Sequence, residues 1–362
     1  MKNFLLISFS SSLIFFAACD MTNKPAKGLE DEIYIVADSL EYEELRVALE
    51  STFEKVIYTP QPEKLFILKR VSPSELEKYQ TKKNIVIVAP MNSNSVASQF
   101  IKAIVDTAIQ SKILSNQMSQ VMKYNLWAKN QLVVVLTAPD MQELEFNILK
   151  KSDDLLYAFQ KISDERLSQS LYSASYEKKE IEGKLLKEHG WVMYVQADFT
   201  LAMDKPEDNF VWLRRSPNSD MERWIFVHWI DSATPEYLNA DSIRTIRNKI
   251  TQKYYQTSDN QSYVIIGAEY LTTNEVNFNG RYALLTQGLW ELNTKGMGGP
   301  FINYTFFDEK TKRLYMVDGS IYAPKYYKRN LIQQVDVILQ SFMTESELRA
   351  DRKEDLLDSV KD

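Results

Sequence analysis

The chain has 362 residues, 44% of them apolar and 12% aromatic, which suffices for one large core or two medium ones. Its net charge of −6 gives no electrostatic reason to bind nucleic acid, and the same balance argues against a polybasic lipid-binding surface. A single cysteine and two histidines, His189 and His228, exclude disulfides, cysteine-ligated metals and a three-histidine zinc site. No phosphate loop, dinucleotide fingerprint or nucleophile elbow occurs, so no cofactor or metal is expected.

Residues 1–18 have the layout of a secretory signal peptide, with Lys2 at its charged end and an apolar run from Phe4 to Phe16. Phe16-Ala17-Ala18-Cys19 closes it as a lipobox, which makes Cys19 the lipidated (palmitate-bearing) first residue of the mature protein. Phe16 stands where Leu is more usual, and the alternative is an ordinary signal peptide containing a cysteine. Cleavage removes one lysine and leaves a net charge of −7. Residues 19–30, with Pro25 and Gly28, read as a polar tether reaching roughly 35 Å from the membrane. No second apolar run reaches the length of a span, so the lipid is the expected membrane attachment.

Residues 31–188 alternate strand and helix signals, which predicts an α/β N-terminal domain. Ile33–Ala37, Leu65–Val71 and Ile85–Ala89 read as buried strands. Between the first two lies an amphipathic helix begun at Ser39, and Pro73–Tyr79 is a short helix with Pro at its start. Residues 94–122 read as one helix; Asn125–Lys129 and Leu132–Thr137 read as a hairpin. A helical region runs from Pro139 to about Glu188, broken near Ser168–Ser175.

Residues 189–343 carry five of the six tryptophans and cluster their strands, which predicts an antiparallel sheet with two packed helices and an α+β class for the whole chain. Trp191–Leu201, Phe210–Arg215 and Arg223–Ile230 lead into a helix from Pro235 to Tyr255. Tyr263–Tyr270, Arg281–Leu292, Phe301–Phe307 and Leu314–Tyr322 lead into a helix from Lys325 to Phe342. The junction after Arg223-Trp-Ile-Phe-Val227 resembles the one after Arg313-Leu-Tyr-Met-Val317, the pattern of an internal duplication or of strand-to-helix grammar alone. Residues 344–362 read as a charged tail, either a solvated helix or disordered.

Gly296, Gly298 and Gly299 beside Trp290 and Glu291 make the most site-like stretch. It is either a binding loop in which Trp290 stacks on a ligand, or a hairpin turn with Trp290 in the core, and the second is expected. His228 with Asp231 or Asp318 has the residue types of a general base couple, but a lone strand histidine is more often structural. His189 beside Gly190 reads as a helix C-terminus. Asp followed by Ser or Thr and an aliphatic residue occurs at Ser39, Thr107, Ser232, Ser242 and Ser359, against about one expected by chance. The triplet resembles the O-glycosylation acceptor of Bacteroidota, and helix capping is the competing account. Thr107, placed inside the predicted 94–122 helix, is the poorest acceptor.

The lipobox, Trp290-Glu291, Met297-Gly298-Gly299-Pro300-Phe301, Asp308-Glu309-Lys310 and Tyr322-Ala323-Pro324 together resemble an uncharacterised Bacteroidota lipoprotein family, domain of unknown function 4837. The resemblance implies an envelope lipoprotein and assigns no catalytic residue. The function expected is that of a non-catalytic accessory, bound to an outer-membrane protein complex or a glycan. The alternative is a hydrolase of envelope glycan or peptide using carboxylates or a His–Asp pair. Met21-Thr22-Asn23-Lys24 lacks the acidic cluster that resembles a surface-export signal, which points to the outer membrane with the body facing the periplasm.

Overall fold

The computed structural model describes residues 24–217, 220–294 and 296–360. The signal peptide and Cys19 lie outside them.

The first core is built on β1 (Glu32–Val36), α1 (Ser39–Phe53), a small hairpin of β2 (Val56–Tyr58) and β3 (Pro62–Lys64), β4 (Ile67–Val71), α2 (Leu76–Tyr79), β5 (Asn84–Val88), α3 (Val96–Ile104), α4 (Thr107–Leu114), β6 (Gln120–Tyr124), β7 (Leu132–Leu136), α5 (Met141–Lys150) and α6 (Ser152–Leu171). The sheet order is β4-β1-β5-β7-β6, parallel except for β6. β1, β5 and β7 are buried at every residue, which is why they read as unbroken apolar runs. Phe53, Phe66 and Phe159 fill the layer under α1, α5 and α6, while Ile101 and Ile113 fill the opposite layer under α3 and α4.

The single helix expected over 94–122 is three elements. Val105 is extended (φ −104°, ψ 127°), and the Asp106 carboxylate accepts from the Ile109 N–H at 2.8 Å to start α4. Gln120–Tyr124 is then the strand that pairs with β7, so the partner expected at Asn125–Lys129 is the connecting loop instead. The tether is shorter than expected, because Ala26 donates to the Lys129 carbonyl at 2.9 Å and Lys27 to that of Thr81 at 2.7 Å.

The second core contains α7 (Lys179–His189), β8 (Trp191–Val192), β9 (Thr200–Lys205), β10 (Phe210–Arg215), β11 (Glu222–Ile230), α8 (Ala240–Tyr254), β12 (Val264–Ile266), β13 (Thr272–Phe278), β14 (Arg281–Leu292), β15 (Gly298–Asp308), β16 (Arg313–Tyr322), α9 (Arg329–Leu339), β17 (Met343–Thr344) and α10 (Ala350–Asp358). Eight of these strands form one antiparallel sheet, β12-β14-β15-β16-β11-β10-β9, with β13 also on β14. α8 buries Ile243 and Ile250 against Phe226 and Met316, and α9 buries Val335 and Ile338 against Val227 and Val317. The two hairpin-to-helix units thus share the facing of their strand residues but send their helices to opposite faces. The chain is an α+β protein.

Trp191–Leu201 is not one strand: β8 pairs with β17, and the sheet resumes at Thr200. The charged tail is docked, because Leu356 is buried with Leu186 and Val192. Gly183 permits this, since a Cβ there would lie 2.2 Å from the Leu356 carbonyl oxygen.

The two cores meet through α9. Its first N–H groups, of Lys328 and Arg329, donate to the buried Glu63 carboxylate at 2.8 and 2.9 Å, where a negative charge is favoured. Arg329 Nε donates to the Leu65 carbonyl at 3.0 Å, and Tyr58 stacks on Tyr270 with centroids 4.0 Å apart.

Candidate functional site

A cleft of about 1160 Å³ opens where α6 passes beside the second sheet. Asp164 and Ser168 come from α6 and Tyr172 from the residue that ends it, Phe278 and Tyr304 from the sheet, Glu182 from α7 and Arg352 from α10. The walls are therefore assembled from positions almost 200 residues apart in sequence.

Its acids are perturbed. Burial, with the charge of Asp336 nearby, pushes Asp164 up to about 6, although Gln333 Nε2 donates to it at 2.6 Å. Burial also raises Asp336, which accepts from the Tyr304 hydroxyl at 2.7 Å and from Gln340 at 3.0 Å. Glu182, 1% exposed, is pushed up to about 8 by burial and by the neighbouring Glu177 charge. Its oxygens accept from the Val195 N–H and from Arg352, each at 2.7 Å, and Arg352 also bonds Glu177. Burial raises Tyr172 and Tyr304, so both hydroxyls stay protonated donors. Chemically, the cleft offers carboxyls raised by burial, fixed hydroxyls, and a ring face at the 64%-exposed Tyr157.

The residues singled out in the sequence lie elsewhere. Trp290 is 1% exposed and donates to the Ile321 carbonyl at 3.1 Å, so its ring is core and presents no stacking face. Glu291, next along β14, points away from it; Gly298 and Gly299 belong to β15, and Gly296 turns at φ +99° in open space. His228 Nδ1 pairs with the Asn209 carbonyl at 2.9 Å, and burial lowers its basicity. Asp318 is held by Arg247 at 2.7 Å and Asn303 at 3.0 Å. Asp231 bonds Arg313 at 2.7 Å. No His–Asp couple joins these three among the described residues.

His189 ends α7 against left-handed Gly190, as expected, and its Nε2 lies 2.9 Å from Asp204 Oδ1. Glu188, His189 and Asp204 could converge on a cation, but Lys184 Nζ stands 3.2 Å from Asp204 Oδ2 and already supplies the positive charge.

Of the glycosylation candidates, Ser39 and Ser232 are exposed, Ser232 on a left-handed turn (φ 53°). Ser242 is half-buried, and the Ser359 hydroxyl donates to the carbonyls of Lys179 and Leu356 at 3.0 and 2.6 Å. Thr107 is exposed in the first turn of α4 rather than mid-helix, which removes the objection to it.

Residues 177–341 match the family model described as Domain of unknown function (DUF4837). The second core is thus similar to DUF4837. Residues 26–172 match another, Domain of unknown function (DUF8532), so α7 goes with the DUF4837 core in family as in packing. No curated protein matches the chain. Among solved structures, the Saccharomyces cerevisiae Ran-binding protein Mog1p is similar at 9% identity over 43% of this chain and 90% of that one, with a TM-score of 0.30. A Bacteroides thetaiotaomicron VPI-5482 protein is similar at 9% identity over 44% and 47%, with a TM-score of 0.25. Likeness at this level carries no inference about function.

Sequence reasoning missed the cleft entirely. The signals it did contain were Tyr157, an exposed aromatic on an otherwise polar helix face, and Arg352 in a segment read as tail.

Proposed function

We propose that the chain is a lipid-anchored envelope protein that binds a glycan in the cleft between its two cores without turning it over. The lining carries the reading. Tyr157, 64% exposed, offers a ring face to the C–H face of a sugar, while Gln160, Asn277, Gln340 and Asp164 offer planar hydrogen-bonding edges. The acids are poorly placed for base chemistry, because Glu182 has both oxygens committed and Asp336 is bonded by Tyr304 and Gln340. The lipobox at Phe16-Ala17-Ala18-Cys19 supports the anchor, and the residues after it support an outer-membrane position facing the periplasm. A segment of an outer-membrane protein complex is the competing occupant.

One observation favours the hydrolase alternative: Asp164 titrates at about 6 in a cleft, the property of a general acid. Titration of the purified protein with envelope glycan fragments decides between the two. Binding without release of reducing ends is expected. Release that disappears in Asp164→Asn makes the protein a hydrolase.

A further inference from the structure

The end of the first core where the chain enters the fold has a composition the whole-chain charge conceals. Segment 24–27, the turn 79–83 and the loop 125–131 are bonded into one surface. Lys129 N–H donates to the Lys24 carbonyl at 3.0 Å, Lys83 N–H to that of Lys27 at 3.1 Å, and Gln131 Nε2 to those of Gln80 and Lys82 at 2.6 and 2.7 Å. Lys24, Lys27, Lys82, Lys123 and Lys129 all stand on these segments or next to them, and none has an ion pair among the described residues. Between the lysines the surface is greasy. Tyr124 is 57% and Leu126 39% exposed, and Leu126 and Trp127 help line an apolar hollow of about 240 Å³ with Phe100, Ile104 and Val121.

We infer that this face is a bilayer-docking surface, seated on anionic phospholipid with its lysines at the phosphates and Tyr124, Leu126 and Trp127 in the interface. Tryptophan and tyrosine prefer the headgroup level, and clustered lysines are drawn to anionic lipid. Where the chain emerges selects the bilayer over other occupants. Four residues separate Cys19 from Lys24, five steps with a reach of roughly 18 Å, so a lipid at Cys19 holds this face close to the membrane. The net charge of −6 is an average; it does not describe this end. The inference rests on the lipid attachment proposed above for the direction of the membrane, and on the lysines and aromatics for the contact.

The test uses the full chain, expressed with its signal, extracted in detergent and reconstituted into vesicles of phosphatidylethanolamine and phosphatidylglycerol containing a photoactivatable phospholipid. Palmitate labelling is scored on the same material. Lipid crosslinks are expected to concentrate in residues 120–131. They should fall about tenfold in Lys123→Glu/Lys129→Glu, and similarly in Leu126→Ser, with the melting temperature unchanged. Crosslinks spread over other faces, an unchanged yield in the lysine variant, or crosslinks joining two copies through this surface overturn the inference. A palmitate-labelled protein lacking the 120–131 crosslinks rejects docking and keeps the anchor. An unlabelled protein that retains them rejects the anchor and keeps docking.

Discussion

Trp290 donates its indole N–H to the Ile321 carbonyl oxygen across the backbone of Gly299. A Cβ at position 299 would lie 1.9 Å from that oxygen and 2.9 Å from the indole nitrogen. The glycines next to this tryptophan therefore make room for a core side chain. Trp290→Ala is expected to cost about 3–5 kcal/mol and to lower the melting temperature by roughly 10 °C, with Gly299→Ala also destabilising. A thermal melt checks both, and an unshifted midpoint for Trp290→Ala would contradict the assignment.

Asp318 and Arg247 form an ion pair at 2.7 Å with both side chains fully buried, and the guanidinium also lies 4.0 Å from the Phe301 ring centroid. Removing one partner strands a charge out of water, so Asp318→Ala should cost about 3–5 kcal/mol. Removing both in Arg247→Met/Asp318→Leu should recover most of that loss. Urea denaturation measures it, and a double variant no more stable than the single would refute the account.

These two sites show how far the sequence could be read. Phe210–Arg215 and Arg281–Leu292 were legible because each is a strand whose side chains alternate within itself. The split at Val105–Asp106 was also written locally, as an Asp–Thr cap, but a helical period in the flanking apolar residues masked it. Gly298-Gly299-Pro300 was misread as a turn because what demands its small residues is Trp290 on the neighbouring strand. The cleft was illegible for a similar reason: Asp164, Glu182, Tyr304 and Arg352 come together only through packing of α6, α7 and α10 on the second sheet. No local pattern encodes that. The docked tail hangs on one buried leucine, Leu356, in a run otherwise rich in charge.

Asp164 makes stability depend on pH. Its folded value of about 6 lies above its ordinary 3.8, so between these values the folded state holds the proton more tightly and stability falls as pH rises. The full loss is on the order of 3 kcal/mol before allowance for residual solvent screening. Asp164→Asn keeps an acceptor for Gln333 and should remove this part of the decline, making the variant the more stable protein above pH 6. Melting temperatures of both proteins from pH 4 to 8 check it; parallel curves would show that Asp164 is not the group responsible.

Lipid attachment at Cys19 predicts that Cys19→Ser abolishes palmitate labelling and leaves unprocessed precursor. Labelling and membrane partitioning unchanged from the native protein would remove the anchor from the account.

Glycan binding in the cleft is tested most directly by hydrogen exchange with and without envelope glycan fragments. The account predicts slowed exchange confined to residues 157–171 of α6 with Tyr172 after it, and to residues 276–279 where β13 ends, lost in Tyr157→Ala while the melting temperature holds. Protection elsewhere on the molecule, or protection that survives Tyr157→Ala, would contradict it.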